Sequence, residues 1–174
     1  MRVYAVLLVL AGLAGCAGMG SPSVNEAGLT DARAKVSLGR CDDGLVADLR
    51  RYKAPELEQQ AAYVCLQQGE LEAVEKLLKG YSQRHATPPH PDYSAYLLAL
   101  TQLARFELTD DDELKRLQEG RKTHAQFSDF VRSYPESEYR NEVAPRMYAV
   151  LEDMAQAEYR LAIQALQQGG NQAA

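Results

Sequence analysis

The apolar positions of this chain fall into helical stripes. Leu45, Val46 and Leu49, continued by Tyr52, recur at intervals of three and four, and so share one face of a helix. Asp42 or Asp43 stands ahead of them as an N-cap. Lys53-Ala54-Pro55 breaks the chain, and Pro55 suits the first position of a second helix. That helix carries Leu57, Ala61, Val64 and Leu66, with Tyr63 beside them, and is expected to end near Gly69. A third helix is predicted from Glu70 to about Arg84, with Leu71, Val74, Leu77, Leu78 and Tyr81 as its core face. Pro88, Pro89 and Pro91 forbid helix in the loop that follows. Asp92 is the expected cap of a fourth helix, Tyr93 to about Glu107, with Tyr96, Leu97, Leu100, Leu103 and Ala104 on one side. A fifth helix runs from about Glu113 to Ser133; Gly120 is its weak point, and Phe127, Phe130 and Val131 form its best apolar face. Tyr134-Pro135-Glu136-Ser137 ends it, with Ser137 as cap of a sixth helix from about Glu138 to Gln168. Val143, Met147, Val150, Leu151, Met154, Ala157, Leu161 and Ile163 belong to that helix, and Pro145 is expected to kink it. Gly169-Gly170 is the expected stop, leaving residues 169–174 as a disordered tail.

No run alternates with period two over a useful length, and valine and isoleucine are few. The abundance of Ala, Leu, Gln, Glu and Arg favours helix, so the expected class is all-α, with about six helices. Helix pairs joined by short turns suggest three hairpins stacked as a short solenoid of tetratricopeptide type. Such repeats need small residues where paired helices touch. Ala61 and Ala73 supply them, with Leu57 before and Leu77 after. An ordinary helical bundle shares these features.

The N-terminus obeys a different pattern. Arg2 precedes an apolar run, Val3 to Leu13, and Leu13-Ala14-Gly15-Cys16 closes it. Eleven helical residues cover roughly 16 Å, about half a bilayer core, too short for a stable span. Residues 1–15 therefore read as a lipoprotein signal peptide, with small residues at the cleavage site and Cys16 as the lipidated residue. Two or more acyl chains at Cys16 give stable anchoring, at ~0.8 kcal/mol per buried methylene. Ala17, where inner-membrane lipoproteins usually carry Asp, implies the outer membrane, with the protein facing the periplasm. Residues 16–38 read as a lipidated flexible tether spanning roughly 25 Å, with part of Leu29 to Val36 transiently helical, ahead of a helical domain over residues 39–168.

Loss of Arg2 with the leader takes the net charge from −5 to −6. A mildly acidic chain with mixed signs argues against nucleic-acid binding. Besides Cys16 there are two cysteines, Cys41 and Cys65. If the first two helices form an antiparallel hairpin turning at Ala54, residues whose numbers add to about 107 lie opposite each other, which brings this pair together. In an oxidising compartment the pair predicts a disulfide, worth on the order of 3 kcal/mol for a loop of this size. Two small buried thiols are the alternative.

No catalytic constellation stands out. His85, His90 and His124 lack metal-ligand spacing and read as solvated or capping side chains. Asp110-Asp111-Asp112 lacks the glycine and terminal Glu of an EF-hand loop and reads as an acidic linker. There is no Gly-rich phosphate loop and no Gly-x-Ser-x-Gly. The expectation is a binding protein with no cofactor and no metal, rather than an enzyme.

Two segments carry a family resemblance: His90-Pro91-Asp92-Tyr93-Ser94-Ala95-Tyr96-Leu97-Leu98-Ala99-Leu100, and Phe127-Ser128-Asp129-Phe130-Val131-Arg132-Ser133-Tyr134-Pro135-Glu136-Ser137-Glu138-Tyr139. In order and spacing they resemble the BamD/ComL family, outer-membrane lipoproteins of the β-barrel assembly machine built from tetratricopeptide repeats. The resemblance covers roughly Leu45 to Tyr159. Family members carry a helix ahead of the first one predicted here and further repeats after the sixth, and those last repeats dock onto the barrel-inserting subunit. Thr123 stands where the family has alanine, and Pro145 where it has an ordinary helix former. The resemblance implies a non-catalytic adaptor that binds envelope proteins, barrel-assembly components among them. Tyr93, Tyr96, Arg105, Arg132 and Tyr139 are the candidate partner-binding residues; interhelical packing is the alternative role for the tyrosines. Two other readings fit a small helical lipoprotein: a pilotin for a secretion or pilus system, and a regulator of peptidoglycan enzymes.

Overall fold

The computed structural model describes residues 24–109 and 112–172, so Cys16, the signal peptide and the first part of the tether lie outside the described residues. Among the described residues the chain is all-α. Eight helices follow one another: α1 (Val24–Ser37), α2 (Asp43–Tyr52), α3 (Pro55–Gln67), α4 (Leu71–Leu78), α5 (Tyr81–Arg84), α6 (Pro91–Glu107), α7 (Glu113–Ser133) and α8 (Arg140–Gln172). Helix α3 pairs with α4, α6 with α7 and α7 with α8, while α4 packs on α6. These hairpins stack side by side in the manner of a short helical-repeat solenoid.

Helix α1 corrects the tether. Leu29, Ala32 and Val36 sit at i, i+3 and i+7, and they pack into the core formed by α2, α3 and α4. Gly28 allows the approach: a Cβ there would stand 2.0 Å from the Tyr52 hydroxyl oxygen. The small-residue composition of residues 17–38 as a whole made this stripe read as transient helix, whereas packing on the core holds it as a full helix. In chain order α1 precedes the first helix that the sequence pattern predicts. It ends in a left-handed Gly39, with Gly39 N–H donating to the Val36 carbonyl and Arg40 N–H to that of Lys35, a Schellman cap.

The elements from α2 to α3 follow the pattern of the sequence. Asp42 caps α2 by accepting from Leu45 N–H at 2.8 Å. Pro55 opens α3, and Gly69, at φ 76°, closes it with a second Schellman pair. The expected third helix is divided. Gly80, at φ 71°, turns the chain between α4 and the single turn of α5. The turn carries Arg84 and His85 back over α3, where a buried carboxylate awaits them. Helix α6 starts at Pro91, so Asp92 lies inside its first turn rather than at the cap, and His90 takes the cap position in a left-handed conformation.

Helix α7 has the expected bounds and is capped by Asp112, which accepts from Lys115 N–H at 2.9 Å. Gly120 is not a weak point but a contact: a Cβ would lie 2.6 Å from Met154 Cγ and 3.1 Å from Phe106 Cε2. Arg116 binds Asp153 at 2.8 Å and covers the Phe106 ring, which ties α6, α7 and α8 together. Helix α8 begins at Arg140, and Ser137 does not cap it; the Ser137 hydroxyl donates to Asp92 instead, at 2.8 Å. It contains Pro145 and continues through Gly169-Gly170 to Gln172, past the expected stop.

Two apolar cores result. One joins α1 to α5 around Leu45, Leu49, Ala61, Cys65, Val74 and Leu77. The other joins α6, α7 and α8 around Tyr96, Ala99, Phe127, Phe130 and Val143. Helix α6 contributes to both, with Leu97 in the first and Tyr96 in the second. None of the described helices is long and apolar enough to cross a membrane.

Candidate binding cleft

The proline loop is held from beneath by two polar residues of α3 that face the core. Glu58 is 1 % exposed; its carboxylate accepts from the Arg84 guanidinium at 2.7 Å and lies 3.2 Å from His85 Nε2. The Gln59 amide, also buried, donates toward the Pro89 and His90 carbonyls, both at 2.9 Å, and toward the Ser94 hydroxyl at 2.8 Å. Tyr81 donates to the Pro89 carbonyl at 3.1 Å; burial, with the Glu58 and Glu56 carboxylates near, pushes its hydroxyl up to about 12. Among the described residues every buried side-chain nitrogen and oxygen has a partner, as a stable interior requires. The start of α6 is thereby set against α3.

That placement brings Tyr93 against the start of α8. Tyr93 and Tyr139 have ring centroids 5.4 Å apart, and Tyr139 stacks on Tyr96 at 4.6 Å. Tyr96 in turn meets Phe130 at 6.0 Å, and Phe130 meets Tyr134 at 5.7 Å. The Tyr96 hydroxyl donates to Glu142 Oε2 at 2.6 Å; burial and that carboxylate push it up to about 12. Burial also raises Tyr93 and Tyr139, the latter with help from Glu138. Between these elements lies a cleft of about 340 Å³, lined by Glu56, Gln59, Gln60, His90, Tyr93, Glu138 and Tyr139. Two carboxylates and two tyrosine rings give it an acidic, aromatic wall suited to gripping a polypeptide.

The residues expected to bind partners do not form one surface. Tyr93 and Tyr139 are half-buried and line the cleft. Tyr96 is buried and holds α6 to α8, so it packs rather than presents a ring. Arg105 reaches from α6 to Glu75 and Glu72 of α4, and Arg132 pairs with Asp129 on the exposed last turns of α7. Neither arginine lines the cleft. The expected solvated histidine at position 85 is buried against Glu58. Cys41 and Cys65 are disulfide-bonded in the structure, with Cα atoms 5.1 Å apart, tying the loop before α2 to α3. Glu56, Gln60 and Glu138 were not singled out by sequence, because polar residues on the outer side of α3 and in the turn ahead of α8 leave no apolar periodic signal. Glu58 did leave one: it shares the 58-61-62-65 stripe with Ala61, Ala62 and Cys65, a charge at a core position.

Among the described residues no group of three or more His, Cys, Asp or Glu side chains could hold a metal ion. The two segments that resemble a known family pack directly on each other. Asp92 meets Ser137, Tyr93 meets Tyr139, and Tyr96 meets Phe130. No curated protein matches the chain. A family model, YfiO, described as an outer membrane lipoprotein, matches residues 45–174, from α2 onward. The chain therefore belongs to the YfiO family of outer membrane lipoproteins.

Proposed function

We propose that this protein is a non-catalytic adaptor, lipidated at Cys16 and held on the periplasmic face of the outer membrane, that assists assembly of outer-membrane β-barrel proteins by binding envelope partners. The observation that carries the reading is the cleft between α3, the start of α6 and the turn ahead of α8. His90, Tyr93, Glu138 and Tyr139 of its wall come from the same two segments that resemble the barrel-assembly lipoproteins, and the half-buried Tyr93 and Tyr139 share it with Glu56 of α3 and Glu138. An extended or helical segment laid there meets aromatic surface and carboxylates together.

The test is site-specific photocrosslinking from positions 93 and 139 of the lipidated protein in cells. Recovery of a barrel-assembly subunit or a nascent barrel protein at both positions is expected, with none from the Arg132 position, which lies off the cleft. Crosslinks confined to secretion, pilus or peptidoglycan proteins would overturn the reading.

A further inference from the structure

Helix α8 carries two apolar faces, and α7 covers one of them. Val143, Val150 and Ala157 are buried, with Met147 and Met154 beside them. The second face is open: Tyr148, Leu151, Tyr159, Ile163 and Leu166 are between 36 % and 75 % exposed. A single exposed leucine is ordinary, but five large side chains on one helix are a patch. At 100° per residue these positions, with exposed Ala155 between them, fall within an arc of about 120°. The face begins beside the groove formed by Val131, Ala144, Met147, Tyr148 and Leu151. It runs past the level where Glu113, at the start of α7, binds Arg160 at 2.9 Å.

The spacing of this stripe is self-complementary. A two-fold axis at the level of residue 157 sets Tyr148 opposite Leu166, Leu151 opposite Ile163, and Ala155 opposite Tyr159 of a second copy. Each large ring thus meets an aliphatic chain or the space left by an alanine. The charged neighbours allow it too. Glu158 and Arg160 are engaged with Arg121 and Glu113 of α7, and Glu152 falls opposite Ala162, so no like charges face each other. The exposed parts of the five side chains amount to roughly 550 Å² per copy and about 1,100 Å² per pair, above the ~1,000 Å² that a specific interface needs.

We propose that this face of α8 is the seam of an antiparallel, two-fold dimer of this chain, an isologous contact. None of the five exposed side chains of this face lines the cleft around Tyr93 and Tyr139, and the proposal does not depend on what that cleft binds.

The test is the mass of the purified full chain in detergent, by sedimentation equilibrium at micromolar concentration. The expected result is a mass of two chains, falling to one in the double variant Tyr148→Glu, Tyr159→Glu. Leu166→Arg alone should weaken association at least tenfold. All three side chains are exposed, so helical circular dichroism should not change. A monomeric wild-type chain overturns the proposal, as does a double variant that remains dimeric. A monomer that floats with phosphatidylethanolamine–phosphatidylglycerol vesicles through Tyr148 and Tyr159 also overturns it, because the face would then cover lipid.

Discussion

The Glu58 carboxylate, 1 % exposed on α3, lies 2.7 Å from the guanidinium of Arg84, a residue of the one-turn helix that follows Gly80. A buried carboxylate is costly without a partner, and this one has two, since His85 stands 3.2 Å away. The pair explains why the chain breaks after Leu78 instead of continuing as one helix. It also fixes the proline loop from which α6 and the cleft begin. Arg84→Met should therefore lower stability by about 2 to 3 kcal/mol, somewhat below the usual loss for a fully buried pair because Arg84 is partly exposed and His85 remains. Urea unfolding checks the value. A loss under ~0.5 kcal/mol, typical of an exposed pair, would show that Arg84 holds nothing essential.

The Cys41–Cys65 bond closes a sequence separation of 24 residues between the loop ahead of α2 and a fully buried position on α3. Cross-linking the unfolded chain over that distance contributes about 3 kcal/mol. Reductant should lower the thermal midpoint by about 10 °C for a domain of this size. Protein taken from an oxidising compartment should show no free thiol at either position by mass spectrometry. Two alkylatable thiols in that material would sink the prediction.

Where one element decided the outcome alone, the sequence was readable. The apolar stripes, Pro55, Gly69 and the Asp42 cap each act within one helix, and α2, α3 and the bounds of α7 follow from them, although Asp112, read as part of an acidic linker, was not foreseen as the cap of α7. The antiparallel hairpin arithmetic needed only two neighbouring helices to place Cys41 near Cys65. What escaped depended on distant partners. Leu29, Ala32 and Val36 look sparse until α2 and α3 are present to receive them. Tyr96 reads as a binding residue until α8 brings Glu142 to its hydroxyl, and Arg105 until α4 brings Glu72 and Glu75. The cleft was half legible. Its tyrosines sit in recognisable segments, while Glu56, Gln60 and Glu138 meet only through the tertiary fold.

Gly120 sets helix propensity against packing. In an exposed helix, replacing glycine by alanine stabilises by roughly 1 kcal/mol. Here the added methyl would meet Met154 Cγ at 2.6 Å and Phe106 Cε2 at 3.1 Å, at the point where α6, α7 and α8 converge. Overpacking a filled core costs about 1 to 3 kcal/mol, so the packing effect outweighs propensity. Gly120→Ala should destabilise by about 1 kcal/mol net, and Gly120→Ala with Met154→Ala should recover part of the loss. Chemical unfolding of both variants decides. A stabilised single variant would mean that Met154 swings aside freely.

Tyr81 and Tyr96 predict an alkaline limit to stability. Burial raises both hydroxyls to about 12; the Glu58 carboxylate adds to the effect at Tyr81, and the Glu142 hydrogen bond does so at Tyr96. In the unfolded chain each ionises near the ordinary tyrosine value of about 10. Between those two values the unfolded state has released protons that the folded state keeps, so stability falls as pH rises from about 10 to about 12 and is insensitive to these groups below about 10. Tyr96→Phe removes the ionisable group while keeping the ring stacked on Tyr139, and should make that fall shallower. The same substitution leaves Glu142 without its donor, so it should also cost about 1 kcal/mol at neutral pH. Spectrophotometric titration of the folded protein provides the independent check: phenolate absorbance from two tyrosines should emerge only near 12, and one of those late steps should vanish in Tyr96→Phe. If every tyrosine titrated near 10 while the protein remained folded, the buried Tyr96–Glu142 contact would not exist in solution.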